Sequence, residues 1–247
     1  MAATFLDAVQ AVDENDGAMS VSLTTTTGVD YIIAYAFSQF SGASAPSSVT
    51  WNGNAMSLVA SETSGTMKIW AYSYQDVVPR TAGCAMTCEA NWFRLAVFSV
   101  AGATGIRATQ TLQAGDWDIS EYLGPTVTSN PLDLVCGGVT AYKAEGAFGN
   151  GITPTGTERM DLSGANGTRN EIATWAGASP SVNPTWTQTS ENDSDHTSVV
   201  LSVQGKPDVS GVIWFWFERY QKFLRDLKAG LISPRDVRRR HQEVYSI

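Results

Sequence analysis

Charge is scarce in this chain of 247 residues: only 16% are charged, against roughly 25% in an ordinary soluble domain. Basic residues are the scarcer kind, 16 against 24 acids, for a net charge of −8. Such a chain lacks the basic footprint that phosphate binding needs, which excludes duplex nucleic-acid binding by the chain as a whole. There are two histidines and three cysteines (Cys84, Cys88 and Cys136), an odd number too small for a disulfide framework. On one strand, Cys84 and Cys88 stand about 13 Å apart, far beyond disulfide reach. Cys136 lies in an apolar run and reads as a small buried hydrophobe. No stretch approaches 18 uninterrupted apolar residues, so no membrane-spanning helix is expected. Residues 1–17 carry acids where a leader peptide has its apolar segment, so folding in a reducing cytosol is expected.

What is present is a β pattern. Hydrophobic residues make up 43% of the chain, enough for a core and too much for disorder. The 22 glycines show no three-residue period, which excludes collagen. From Ala18 to Gly205, strand-like runs alternate with turn clusters such as SGASAPSS, WNGN and ETSGT. Residues 30–37 (DYIIAYAF) are β-branched and aromatic on both faces, as in a central strand covered on two sides. Residues 67–74, 94–100 and 197–203 are further strands. The expected fold class is all-β, an antiparallel, jelly-roll-like β-sandwich.

A repeat runs through this body. Asp30-Tyr31-Ile32-Ile33 aligns with Asp133-Leu134-Val135-Cys136 at an offset of 103 positions. Ile69 aligns with Ile172, and Ala96, Phe98 and Val100 with Val199, Leu201 and Val203, at the same offset. Met56 and Leu58 match Met160 and Leu162 at 104. The organisation expected is a body over 1–206 with pseudo-repeated halves at about 18–102 and 121–205. The repeat fits one fused sandwich or two stacked ones, and one body is favoured because residues 103–131 contain no linker-like stretch.

At Lys206-Pro207-Asp208 the composition switches. Ser210-Gly211 can cap a helix whose apolar positions, Ile213, Trp216, Phe217, Tyr220, Phe223, Leu224 and Leu227, follow spacings of three and four. Gly230 stops it, and Ser233-Pro234-Arg235-Asp236 opens a second helix to about Tyr245. Residues 207–247 are therefore expected to form an α-helical hairpin. Its first turns, Val212 through Trp214, Phe215, Trp216 and Phe217, are apolar all round and need burial against the body, copies of themselves or a partner. Burying four large aromatics contributes on the order of 6–12 kcal/mol, more than so short a helix supplies alone. Glu218 and Asp226 argue against a membrane-surface role. Arg238, Arg239 and Arg240 favour a solvated face or an acidic protein partner over nucleic acid. Charge divides at the same place: residues 1–206 hold 8 basic and 19 acidic groups (−11), and 207–247 hold 8 and 5 (+3).

Signals for chemistry are few. No nucleophile elbow, Walker A loop or dinucleotide fingerprint occurs, and His and Cys never approach zinc-ligand spacing. No cofactor and no metal are expected. His196 follows Ser190-Glu191-Asn192-Asp193-Ser194-Asp195, a stretch that reads as a solvated turn rather than a catalytic relay or a Ca²⁺ loop. Asp13, Glu14, Asp16, Glu62, Asp116, Asp118 and Glu121 read as loop acids, leaving no paired carboxylates inside a strand for glycoside hydrolysis. The expectation is a non-enzyme. Among Trp51, Trp92, Trp117, Trp175 and Trp186, core packing is the commoner fate. Trp117, between Asp116 and Asp118, is the candidate for an exposed glycan contact.

The string Val49-Thr50-Trp51-Asn52-Gly53-Asn54-Ala55-Met56-Ser57-Leu58-Val59 resembles a recurrent hairpin of β-sandwich domains in bacteriophage virion proteins and some bacterial surface proteins. The Lys68–Tyr74 strand followed by AVFSVAG is similar to the same domains, and the likeness covers most of residues 20–205. The segment LRDLKAGLISPRDVRRR is similar to short helical hairpins used for oligomerisation or docking. The resemblance carries no catalytic residues. It implies a structural virion protein of head decoration, neck, tail or fibre, partnered by other virion proteins and its own copies and assembled in the bacterial cytoplasm. Recognition of host surface glycans is the alternative.

Overall fold

The computed structural model describes residues 1–13, 17–39, 42–88, 93–114, 121–143, 152–163, 168–188 and 194–207. Residues 1–206 form one compact unit, and 207–247 a second. The predicted helical hairpin lies outside the described residues. The body is all-β, built from antiparallel sheets.

The first half has a main sheet in the order β1 (Thr4–Asp13), β9 (Phe93–Ala101), β3 (Val29–Ser38), β7 (Met67–Gln75), β6 (Ser57–Ser64). Over it lies a smaller sheet ordered β2 (Ala18–Thr25), β8 (Arg80–Thr87), β4 (Ser48–Trp51), β5 (Asn54–Ala55). The second main sheet has the order β10 (Ala103–Ala114), β19 (Ser194–Gly205), β13 (Leu134–Lys143), β16 (Thr168–Ala176), β15 (Thr157–Ser163). Its outer strands are β11 (Glu121–Leu123), β18 (Thr185–Gln188) and β14 (Ile152–Pro154), with β12 (Val127–Thr128) and β17 (Ser181–Val182) as a separate pair. Strand for strand, the two main sheets have the same order.

Burial explains the layering. Along β3, Tyr31, Ile33, Tyr35 and Phe37 join a central cluster with Phe98, Cys136, Ile172, Val199 and Leu201, so the two main sheets pack face to face. The alternate residues Ile32, Ala34 and Ala36 pack outward with Leu23, Trp51, Trp70 and Cys84 under the first outer sheet. Val135, Val139, Ala141, Val200 and Trp186 do the same in the second half. A strand covered on both faces reads as a continuous apolar run, which is why DYIIAYAF has no polar alternation. The order of layers is therefore outer, main, main, outer within the one compact unit.

Close approach at the centre depends on Gly137 and Gly138 of β13. A Cβ on Gly138 would stand 2.8 Å from the Tyr35 ring and 2.9 Å from Ile69, while one on Gly137 would meet Trp186 and Trp175 at 3.1–3.2 Å. Tyr35 is fully buried and donates its hydroxyl to the Cys136 carbonyl at 3.2 Å, with the Val199 carbonyl at 3.4 Å. Burial, then the neighbouring Cys136, hold its pKa well above 10. Replacing Tyr35 by Phe is expected to cost about 1 kcal/mol, the net worth of one such hydrogen bond, as read by chemical denaturation.

The structure corrects the sequence reading at several points. The β pattern begins earlier than Ala18, with β1 at Thr4–Asp13. The offset of 103 holds where β3 and β9 correspond to β13 and β19: Ile33 pairs with Phe98, and Cys136 with Leu201. It fails at β7, because Ile69 pairs with Phe37 whereas Ile172 pairs with Gly138, a slip of two residues. Leu162 accordingly occupies the register of Glu62, not of Leu58. A slip of two leaves every side chain on its original face, so the apolar pattern does not reveal it. Asp13, Glu62 and Glu121, read as loop acids, lie in β1, β6 and β11.

Candidate functional site

The body has two poles. β3 and β13 begin at one, the near pole, and end at the other. Near the far pole, Thr111 of β10 donates to Glu62 of β6 at 2.5 Å. Near the first, the Arg159 guanidinium of β15 sits 4.2 Å over the Phe5 ring of β1. Those two contacts place β6 over β10 and β1 over β15, so the halves are related by an approximate two-fold axis running from pole to pole. The strand ends Asp13, Ser38, Phe93, Ala114, Lys143, Ser163, Thr168 and Ser194 all lie at the far pole.

The near pole is where the chain leaves the body. Lys206 pairs with Asp30 at 2.6 Å, its carbonyl accepts from the Met1 amino group at 2.7 Å, and Asp30 accepts from the Ala103 amide at 3.0 Å. Asp133, at the position equivalent to Asp30, is buried and accepts from Arg107 Nε (2.5 Å), the Asn130 and Gly205 amides and the Ser202 hydroxyl. Burial pushes the Asp133 carboxyl up, but Arg107 and the other donors outweigh it and hold it below the usual range. Both strand starts thus tie the two halves to the segment preceding residue 207.

The predicted site residues divide sharply. Trp51 and Trp186 are core residues. Trp175 is half-buried, packs edge-on against Trp186 with ring centroids 5.1 Å apart, and donates Nε1 to Thr155 at 3.2 Å. Trp51 and Trp186 therefore offer no exposed ring face as a sugar platform. Trp92 and Trp117 lie outside the described residues, as do Trp214, Phe215, Trp216, Phe217, Tyr220, Phe223, Leu224, Leu227, Arg235, Arg238, Arg239 and Arg240.

His196 is not in a solvated turn. It sits in β19 at 1% exposure, and burial draws its pKa down to about 4. On the same face, Ser198 and Glu171 flank Val139 from the two neighbouring strands. Glu171 is fully buried and neither carboxylate oxygen has a hydrogen-bond partner. Burial first, then Glu158 and Asp161, push its pKa up to about 9, so it is a neutral acid at pH 7. Sequence reasoning missed this cluster: paired acids do occur inside strands, since Asp161 lies directly opposite Glu171. Asp161 is engaged by Arg169 through a bidentate pair. With Glu171 sealed from solvent, the two carboxyls cannot flank a glycosidic bond.

An open groove of about 340 Å³ lies at the near pole between the halves, lined by Tyr31, Ser57, Ser73, Gln75, Asp76 and Ile106 among others. Among the described residues no group of three or more His, Cys, Asp or Glu could hold a metal ion, and no helix is long and apolar enough to cross a membrane.

No family model matches the chain, and no curated protein is similar enough to count as a relative. Among solved structures, the major capsid protein P2 from Bacteriophage PM2 is 10% identical, with a TM-score of 0.24 over 83% of this chain and 98% of that one. The PBSX exported protein XepA is also 10% identical, with a TM-score of 0.23 over 82% of this chain and 86% of that one. At such scores neither structure superposes on the chain as a whole, so the functional reading rests on the chain's own topology and surface.

Proposed function

We propose that the protein is a non-enzymatic structural component of a bacteriophage particle, of head decoration, neck, tail or fibre. In this reading each half of the body is a jelly roll, and residues 207–247 are a helical hairpin that fastens the body to other virion proteins or to its own copies. The observation that carries it is the strand order. A jelly roll has eight strands in two four-stranded sheets, and its strands taken first, eighth, third and sixth make one sheet; the second, seventh, fourth and fifth make the other. Taking β6 as an added edge strand, β1-β9-β3-β7 and β2-β8-β4-β5 follow that order, and β10-β19-β13-β16 repeats the first sheet. Jelly rolls recur in viral capsid and lectin domains. The all-round apolar run of Trp214 to Phe217, the apolar stripe on to Leu227 and the basic Arg235–Arg240 cluster support attachment through this segment, with assembly in the host cytoplasm.

The test is truncation. A chain ending at Lys206 is expected to stay soluble and folded, with a cooperative melt, while losing self-association or incorporation into particles. Incorporation at the full-length level would end the anchoring reading. A second reading, a lectin-type jelly roll that recognises host surface glycans through Trp117, predicts glycan-array binding that disappears in Trp117→Ala.

A further inference from the structure

The inner face of β7 changes character along its length. Ile69 and Ala71 belong to the central apolar cluster, but the next two inward positions are Ser73 and Gln75. Ser57 of β6 lies opposite Ser73 and continues the polar row. These residues stand where the main sheets part at the near pole, and they line the groove of about 340 Å³ whose far wall is Ile106 of β10. A row of inward polar side chains adds nothing to a core, since burying such groups costs free energy unless they are partnered. Facing an open groove, they remain available to a ligand.

We propose that this groove is a binding site for a neutral saccharide unit. The lining decides the ligand class. Among its residues there is no cation to receive a phosphate, sulfate or carboxylate, and Asp76 supplies the one formal charge. A single carboxylate beside hydroxyls and an amide suits vicinal diols, whose hydroxyls donate and accept at once. Buried Tyr31 shares its hydroxyl between Gln75 Oε1 at 3.0 Å and the Thr104 carbonyl at 3.3 Å, so Gln75 turns Oε1 towards Tyr31 and presents Nε2 as the outward donor. Asp76 follows Gln75 directly and supplies the acceptor. One sugar hydroxyl can then accept from Gln75 while its neighbour donates to Asp76. Asp76 holds a left-handed backbone (φ 62°), a conformation that directs the chain sharply away after β7. The volume lies near the lower end of the range for ligand sites, matching one or two sugar rings rather than a long chain.

This site is independent of the virion reading and of Trp117. The experiment titrates the full-length protein with neutral hexoses, with an N-acetylhexosamine and with a uronic acid, by ligand-observed NMR and calorimetry. Saturable binding of at least one neutral sugar is expected, stronger than that of the uronic acid. Asp76→Gly suits the left-handed backbone and removes the acceptor; it should weaken binding about tenfold, the loss of one charge-assisted hydrogen bond. Gln75→Ala should weaken it as well, with melting midpoints of both variants unchanged, and Trp117→Ala should leave it intact. Absence of saturable binding by every neutral sugar overturns the proposal. So does binding that survives both groove substitutions, that vanishes with Trp117→Ala, or that favours the uronic acid. Particle incorporation of the truncated chain is read separately, so failure of one proposal is distinguishable from failure of the other.

Discussion

Gly138→Val is expected to destabilise the protein by about 3 kcal/mol, the upper end of ordinary overpacking costs. For a body of this size that corresponds to a fall in melting midpoint of about 6–12 °C. The reason is position. Gly138 lies on the inner face of β13, in register with Val199 and Ile172 and against the Tyr35 ring of the opposite sheet. A Cβ there already meets Tyr35 at 2.8 Å, and the branched carbons of valine extend the clash. Tyr35 cannot swing aside cheaply. Its ring stacks on Phe37 and Phe98 at 6.1 and 6.2 Å, and its hydroxyl is bound to second-half carbonyls. Relief therefore requires the two main sheets to move apart, which loosens the whole central layer. Gly105→Ala is the control: its added carbon finds only the Tyr31 hydroxyl, at 3.9 Å, so its effect should stay within about 0.5 kcal/mol. Equal midpoints for Gly138→Val and the wild type would show that the sheets do not meet as described.

Glu171→Gln is expected to stabilise the protein by about 3 kcal/mol at pH 7. In the fold, Glu171 keeps its proton to about pH 9, whereas the unfolded chain releases it near 4.5. Its contribution is complete below 4.5 and is lost as pH rises towards 9, at about 1.4 kcal/mol per pH unit. His196 has the opposite slope: with its pKa lowered from 6.5 to about 4, stability falls as pH drops through that interval. Between 4.5 and 6.5 the two slopes cancel, and above 6.5 the Glu171 decline stands alone. Asp133, whose carboxyl is held low, adds a further loss only in stronger acid. Wild-type stability, followed by urea denaturation, should be flat from pH 4.5 to 6.5 and fall from there to pH 8. Glu171→Gln should abolish the fall above 6.5. A variant with an unchanged alkaline slope would mean that Glu171 is ionised in the fold.

Several features were legible from residue order because they depend on pattern alone. Two-sided apolar runs such as DYIIAYAF are demanded by burial on both faces, and they marked β3 as central. The corresponding runs 103 positions apart marked two similar halves, and the shared register of β3–β9 and β13–β19 carries that offset. β1 was missed because Asp7 and Asp13 interrupt its pattern. As an edge strand it can carry a charge at an exposed position such as Asp7.

Other features depend on what lies across a layer. Nothing in TRNEIATW distinguishes a solvated Glu171 from a sealed one, and nothing around His196 announced a strand interior. Both follow from which face of β16 and β19 the outer strands cover. The two-residue slip at β7 escapes any pattern of period two. Likewise, the four-layer stacking is set by Gly137 and Gly138, whose missing side chains matter only because Tyr35 and Ile69 face one of them and Trp175 and Trp186 the other. The amino-acid order by itself determined the all-β class, the paired halves and the break in composition at residue 207, because hydrophobic period and charge are local quantities. Only the tertiary structure decided register, the two poles and the groove between the halves, because each arises where side chains from distant strands meet.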